Sequence, residues 1–195
     1  MSNTTVTARR PTILERRDSR THSLLAALFA VYLVLLGWVI LWKLEVPFIG
    51  MGDLRHIKLV PFAADGTYDA SSPLEVVANI VLFLPFGAYV ALLRPAQSLW
   101  KHAGTIAAAS LLLEAGQYVL RVGSSDITDV IANTIGGLTG VLVIVLMRRA
   151  GRLRITVVTR ICLVGTVVAV IACLAFFASP VQYVQQDVSP AHAPQ

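Results

Sequence analysis

The chain has 195 residues, of which 56% are hydrophobic and 14% are charged, and its mean hydropathy is +0.72. Soluble domains carry roughly 25% charged residues, so this composition excludes a soluble enzyme, a disordered protein and a secreted disulfide scaffold. The net charge of +5 comes from basic residues beside apolar segments, which indicates membrane topology and attraction to anionic lipids rather than nucleic-acid binding. The two cysteines, Cys162 and Cys173, lie roughly 16 Å apart along one predicted helix, which is too far for a disulfide bond.

Five apolar segments are long enough to cross a membrane as helices, which takes about 17–25 residues. In chain order they are 23–42, 76–93, 103–120, 130–147 and 161–178. The first has a long polar segment before it and no small-residue cleavage site after it, which favours an uncleaved anchor over a signal peptide. The sequence therefore predicts an all-α, multi-pass membrane protein with five transmembrane helices.

The basic residues are distributed unequally between the two sides of these helices. Of the 16 Lys and Arg residues, twelve lie in the N-terminal tail and in the segments after helices two and four, and four lie on the opposite side: Lys43, Arg55, Lys58 and Arg121. Loops rich in Lys and Arg stay in the cytoplasm. The N-terminus is therefore predicted to be cytoplasmic and the C-terminus external.

This topology divides the chain into four parts. Residues 1–22 are predicted to form a basic cytoplasmic tail, and residues 23–147 the main transmembrane domain, with an external loop at 43–75. Residues 148–178 comprise a basic loop and the fifth helix. Residues 179–195 contain three prolines and no Lys or Arg, so we expect an external tail that is disordered.

Polar side chains interrupt helices two, three and four near their external ends. Counting residues inward from each end places three carboxamides at one depth and a carboxylate about one turn deeper, with an arginine and two further acids at the rim. An ionisable group inside a membrane helix costs a few kcal/mol, so Glu114 should face a partner, either Arg121 or the amides. The residues predicted to form one outward-facing ligand-binding pocket are Asn79, Glu114, Gln117, Arg121, Asp126, Asp129 and Asn133.

The same side chains also have structural interpretations. Each amide could form an interhelical hydrogen bond, which contributes about 1 kcal/mol or less. Asp126 could cap the N-terminus of helix four, with Asp129 in the first turn against the positive end of the helix. We favour the pocket for the group as a whole, because the polar residues of three helices converge at one end.

Small residues predict which helices approach closely. Gly136 and Gly140 lie four residues apart in helix four, and helix three carries small residues at 107–110. Helices three and four are therefore predicted to form a tight hairpin. In helix two, Pro85 removes one backbone hydrogen bond, and we expect a kink beside Gly87.

The order of these motifs resembles the pattern of VanZ-like membrane proteins. Its elements are LVPF at 59–62, NIVLFLPFG at 79–87, EAGQ at 114–117, Arg121, and DITDVIANTIGG at 126–137. The family founder is associated with low-level resistance to teicoplanin, a lipid-tailed glycopeptide that acts at the outer face of the membrane. The resemblance implies a bacterial cell membrane protein in envelope or glycopeptide biology, but it implies no reaction, and it leaves out helix five and the basic N-terminus.

Two functions from different classes follow from these residues. The favoured hypothesis is a non-enzymatic module whose pocket binds a lipid headgroup, a lipid-linked cell-wall precursor or a lipoglycopeptide, with Arg121 facing an anionic group. The alternative is a membrane enzyme that acts on a lipid-linked envelope substrate, with Glu114, Asp126 and Asp129 as acid, base or ligands of a hard metal. The sequence has no Ser-His-Asp order, Cys-His pair or His-x-x-x-His spacing, so we assign no catalytic residue, metal or cofactor. A transporter is disfavoured, because there is no inverted repeat.

The charge distribution predicts the outcome of a topology experiment. A reporter fused after Gln195 should be active outside the cell, and a reporter inserted between Arg94 and Lys101 should be active in the cytoplasm, because the positive segments stay inside. Paired reporters, one active only outside and one only inside, measure both positions. A cytoplasmic C-terminus would contradict the predicted orientation and the outward-facing pocket.

Overall fold

The computed structural model of the protein describes residues 13–42, 49, 57–58, 60–61, 72–122 and 125–178. Within these ranges it contains five helices, namely α1 (Ile13–Trp42), α2 (Pro73–Leu93), α3 (Leu99–Leu120), α4 (Ile127–Arg149) and α5 (Ile155–Phe177). Each helix includes a segment long and apolar enough to cross a membrane, which confirms the five predicted spans. The orientation of the termini stays a prediction. The predicted disordered tail, 179–195, and most of the predicted external loop lie outside the described residues.

Helix α1 begins ten residues before the predicted span, at Ile13 rather than at residue 23. The segment 13–22 is rich in charged residues, so a search for apolar segments cannot detect it. It also contains Leu, Glu and Arg residues, which are good helix formers. Part of the segment predicted as a basic tail is therefore a polar extension of the first helix.

Side-chain caps set the starts of the next three helices. At α2 the Ser72 hydroxyl accepts a hydrogen bond of 3.2 Å from the Glu75 N–H, and the Ser72 N–H donates one of 3.1 Å to Glu75 Oε2. This reciprocal pair satisfies two backbone donors at the helix end. Ser98 caps α3 in the same position. Asp126 caps α4, where its Oδ1 accepts a 2.8 Å hydrogen bond from the Thr128 N–H.

The closest approach between helix backbones is at α4, where glycines lie directly against α2. A Cβ atom at Gly136 would overlap the carbonyl oxygen of Ile80, and one at Gly140 would overlap that of Leu84. The prediction that this glycine pair lies at the interface with α3 is wrong. Both glycines face α2. From Gly136 to Gly140 the contacted residue of α2 also advances by four, from Ile80 to Leu84, which shows that α2 and α4 run parallel.

Helix α3 also packs on α4, as predicted, but through side chains. A Cβ at Gly137 would lie 2.6 Å from Ile106 Cγ2 of α3, so this contact also has no room for a larger residue. On its other side, Gly137 meets Gly87 of α2 backbone to backbone. Helix α4 is therefore packed between α2 and α3, and its backbone lies closer to the backbone of α2 than to that of α3.

Aromatic side chains pack α1 against α2. The ring of Phe29 lies 5.4 Å from that of Phe86 and 5.3 Å from that of Tyr89. Tyr32 donates a hydrogen bond from its hydroxyl to the carbonyl oxygen of Leu82, within the turn where Pro85 lacks a backbone donor. Helix α2 continues as one helix through that proline. The polar contact thus joins α1 to the segment of α2 where a kink was expected.

Helix α5 packs at the side of this bundle. The Tyr89 and Thr166 hydroxyls are 3.1 Å apart and join α5 to α2, and the rings of Trp38 and Phe177 lie 6.0 Å apart between α1 and α5. Most of its remaining surface is exposed and apolar, as expected for a helix in contact with lipid. Helix α5 does not contribute to the polar residues described below.

Two short strands connect the loop before α2 to the α3–α4 connection. Strand β1 (Ile57–Lys58) pairs in parallel with β2 (Ser125–Asp126), with Ile57 opposite Ser125 and Lys58 opposite Asp126. These four residues are the whole of the pairing within the described part of the chain. It holds a segment of the predicted external loop against the ends of α3 and α4.

The packing of α2 on α4 predicts the effect of a large side chain at Gly140. Gly140→Leu places the new side chain against the α2 backbone, which cannot move without separating the helices, so the free energy of unfolding should fall by about 1–3 kcal/mol or more. Thermal unfolding in detergent measures the change. Gly165→Leu is the matched control, because nothing lies within 4 Å of a Cβ built at Gly165. Equal unfolding temperatures for both variants and the wild type would contradict the packing described.

Candidate functional site

Glu114 is buried within α3, with only 3% of its surface exposed. Its Oε2 accepts a 2.9 Å hydrogen bond from the backbone N–H of Asp126, at the start of α4. Its Oε1 has no hydrogen-bond partner among the described residues. Arg121 or the amides were the predicted partners of this carboxylate. The structure provides a backbone donor from the α3–α4 connection instead.

Asp126 connects three parts of the chain. Its backbone N–H donates to Glu114, its Oδ1 accepts from the Thr128 N–H, and its Oδ2 lies 3.3 Å from Lys58 Nζ in an ion pair. The side chains of Lys58 and Asp126 are only 4% and 12% exposed. The capping interpretation of Asp126 is thus confirmed, and both oxygens of its carboxylate have partners within the protein.

Lys58, the ion-pair partner of Asp126, was not among the predicted site residues. It was counted only as one of the basic residues on the external side. The sequence signal for this role was a single lysine in the apolar stretch IKLV at 57–60, directly before the LVPF motif at 59–62. Spacing alone could not show that this stretch pairs with β2, because the two strands are separated by two whole helices.

The buried amides lie at different depths. Gln117 Nε2 donates a 2.9 Å hydrogen bond to the carbonyl oxygen of Ile40 in α1, whereas Asn133 Nδ2 donates one of 2.8 Å to Ser110 Oγ in α3. Ser110 precedes Gln117 by seven residues, roughly 10 Å along the helix axis, so the two amides do not share the common depth that residue counting predicted. Gln117 Oε1 and Asn133 Oδ1 are both buried without a partner among the described residues.

Four polar residues do meet around one groove at the ends of the helices. The groove has a volume of about 310 Å³ and its polar lining consists of Glu75, Asn79, Gln117 and Asp129. The rest of its lining is apolar and comes from α1 and α2, namely Val39, Ile40, Ala78 and Leu82. Three of the seven predicted site residues therefore lie together, joined by Glu75, which the sequence analysis did not select. We call this feature the polar groove.

Arg121 lies apart from the polar groove. It follows α3 with a left-handed backbone, at φ 56° and ψ 37°, a conformation that is uncommon for residues other than glycine. It is partly buried and forms no ion pair with an acidic residue in the described part of the chain. Its predicted contact with Glu114 is not present there.

The acids named as possible metal ligands are not arranged around one position. Glu114 and Asp126 meet through a backbone N–H, and Asp129 faces the polar groove. Among the described residues, no three His, Cys, Asp or Glu side chains are placed to hold one metal ion. The cluster therefore consists of a buried hydrogen-bonded junction, made by Lys58, Asp126 and Glu114, beside an open polar groove.

The buried ion pair predicts a large effect of removing its cation. Lys58→Met removes the ammonium group that lies 3.3 Å from the buried Asp126 carboxylate, so the protein should lose about 3–5 kcal/mol of stability. Lys58→Met combined with Asp126→Asn should recover part of this loss, because Asn also caps helices well. Lys101→Met is the control, since Lys101 is exposed. Thermal unfolding of the four proteins tests the pair, and an unchanged midpoint in Lys58→Met would show that the pair is not formed.

Comparison with known proteins identifies relatives of the region that contains these residues. A family model described as VanZ/LLP1 matches residues 29–148, a range that includes every residue of the polar groove and all of α2 and α3. The chain is also similar to a protein named Protein VanZ from Enterococcus faecium, with 33% identity over 115 residues, which is 58% of this chain and 68% of that protein. No solved structure matches significantly.

Proposed function

Because the chain belongs to the VanZ/LLP1 family, we propose that the polar groove of this multi-pass membrane protein opens to the outside of a bacterial cell and binds a ligand of the envelope. The ligand is a lipid headgroup, a lipid-linked cell-wall precursor or a lipid-tailed glycopeptide. By binding it, the protein lowers the sensitivity of the cell to teicoplanin. In this role the protein is a binding module rather than an enzyme.

One atom carries this proposal. Gln117 lines the polar groove. Its Oε1 atom is fully buried and has no hydrogen-bond partner among the described residues. A buried acceptor without a partner costs about 1–3 kcal/mol, so such groups normally bind water or a ligand. The amide nitrogen of the same side chain is held by Ile40, which fixes the direction of the oxygen.

The position of the groove supports an amphipathic ligand. Glu75 and Asp129 are each the third residue of their helices, and Gln117 is close to the end of α3, so the polar lining lies at one end of the bundle. The apolar lining from α1 and α2 continues below it toward Leu82. A ligand with a polar head and an apolar tail, such as a lipid or a lipoglycopeptide, matches this order of surfaces.

The enzymatic alternative, with Glu114, Asp126 and Asp129 as acid and base, has less support. The Asp126 carboxylate caps α4 and pairs with Lys58, and Glu114 is not part of the groove lining. Of these three acids, Asp129 alone reaches the polar groove. The predicted ligand contacts of Glu114, Arg121, Asp126 and Asn133 stay predictions. In this proposal Glu114, Asp126 and Asn133 hold the helices around the groove.

Substitution of Asn79 tests the binding function. Asn79→Leu makes the groove lining apolar at a partly exposed position, so cells carrying it should be as sensitive to teicoplanin as cells with an empty vector. Thr139→Val is the control, because Thr139 is exposed and its hydroxyl bonds only to its own helix, at Ile135 O. The minimum inhibitory concentration is measured with membrane abundance in parallel, and a glycopeptide without a lipid tail shows whether the tail is needed.

Two results would contradict the proposal. One is a wild-type inhibitory concentration for both Asn79→Leu and Asp129→Asn at equal abundance. The other is a wild-type protein that leaves teicoplanin sensitivity unchanged when it is expressed.

A further inference from the structure

A second groove lies at the opposite end of the bundle from the polar groove. Its lining comes from the α2–α3 connection and from α1, α2 and α3, namely Phe29, Val90, Leu93, Arg94, Gln97 and Thr105. It has a volume of about 370 Å³, and we call it the basic groove. The 21 residues of α2 separate the two grooves by roughly 30 Å, the thickness of the hydrocarbon core of a bilayer. The basic groove therefore lies at the depth of lipid headgroups.

The charge around the basic groove is positive. Arg94 is exposed, lines the groove and forms no ion pair in the described part of the chain. The Thr105 hydroxyl donates a 2.9 Å hydrogen bond to the backbone carbonyl of Lys101, four residues earlier, so the two residues lie on one face of α3. No acidic residue is among the described residues that line the groove, and the sequence has none between Arg94 and Glu114. This charge favours an anionic group.

Gln97 adds a hydrogen-bond acceptor close to this cation, since its backbone N–H donates to the Arg94 carbonyl oxygen. Its Oε1 atom is buried and has no hydrogen-bond partner among the described residues. Such an atom normally binds water or a donor group of a ligand. The Thr105 hydroxyl can also accept, because its own proton is used in the contact with Lys101. The polar lining thus combines a cation with acceptors that require a donor.

The rest of the groove matches an amphipathic ligand. Ser98, directly after Gln97, caps α3, and the positive end of a helix stabilises a nearby anion. Val90 and Leu93 precede Arg94 in α2, so the apolar part of the lining lies deeper in the membrane than the guanidinium group. The order from the surface inward is therefore a cation, hydrogen-bond acceptors and an apolar wall.

We propose that the basic groove binds a membrane phospholipid whose headgroup carries an anionic phosphate and hydroxyl donors, as that of phosphatidylglycerol does. Arg94 pairs with the phosphate, because a guanidinium group binds phosphate oxygens through two parallel hydrogen bonds. Gln97 Oε1 and the Thr105 hydroxyl accept hydrogen bonds from the headgroup hydroxyls, and the wall of α1 and α2 contacts an acyl chain. This site is separate from the polar groove and does not depend on the function proposed for it.

Three lipids with the same acyl chains separate the two parts of this recognition. The full chain is placed in phosphatidylcholine nanodiscs that contain equal small fractions of phosphatidylglycerol and phosphatidylethanol, which have the same charge but differ in headgroup hydroxyls. Relative to its share of the bilayer, phosphatidylglycerol should be retained on the protein roughly ten-fold over phosphatidylcholine, because its phosphate is not neutralised by a choline. It should be retained roughly five-fold over phosphatidylethanol, which lacks the hydroxyl donors. Native mass spectrometry measures the retained lipids.

Substitutions of Arg94 and Gln97 locate the effect. Arg94→Gln should reduce the retention of both anionic lipids roughly ten-fold. Arg152→Gln is the matched control, because it removes the same charge from an exposed residue at this end of the bundle that does not line the groove. Gln97→Leu should keep the preference for anionic lipids and lose the discrimination between phosphatidylglycerol and phosphatidylethanol. Thermal unfolding in nanodiscs of phosphatidylcholine alone checks that each variant is folded.

Three results would each overturn the inference. The first is equal retention of phosphatidylglycerol and phosphatidylethanol by the wild type. The second is an equal loss of anionic lipid in Arg94→Gln and Arg152→Gln, which would show a general attraction of the basic surface rather than a site. The third is an unfolding midpoint that soluble glycerol 3-phosphate raises as much as phosphatidylglycerol does, which would show that the headgroup binds without its acyl chains.

Discussion

The contact between the backbones of α2 and α4 is the constraint on which the rest of the structure depends. With glycine at 136 and 140, the two parallel helices approach until carbonyl oxygens of α2 occupy the space where side chains would lie. Their N-terminal turns therefore lie next to each other, which brings Glu75 and Asp129 to one groove. A larger residue at either glycine would separate the two acids as well as the helices.

A second set of contacts connects the chain outside the helices to this bundle. Lys58 pairs with Asp126, whose backbone N–H donates to Glu114, so a loop strand, a helix cap and a buried carboxylate form one continuous junction. In an apolar surrounding each of these groups would be unfavourable alone, and together they supply most of one another's partners. The junction holds a segment of the predicted external loop against the ends of α3 and α4.

Much of the architecture follows from local sequence. Apolar segments of the required length predicted all five helices, because membrane spans depend on length and composition and on no distant residue. The cap at Asp126 was also predictable from the local sequence, since its carboxylate accepts from an N–H only two residues ahead. The motifs at 79–87, 114–117 and 126–137 indicated the family that the comparison with known proteins then confirmed.

The partners of the polar residues were decided by the tertiary structure alone. Residue counting along straight helices placed Gln117 and Asn133 at one depth, yet the first reaches α1 and the second pairs with Ser110 deeper in the bundle. Counting ignores the direction in which each helix face points, and it cannot show which of two neighbours a glycine pair will meet. The sequence by itself thus determined how many helices span the membrane and which of them carry polar groups. Helix packing decided which groups meet, because contacts between distant segments depend on rotation and register that no local pattern records.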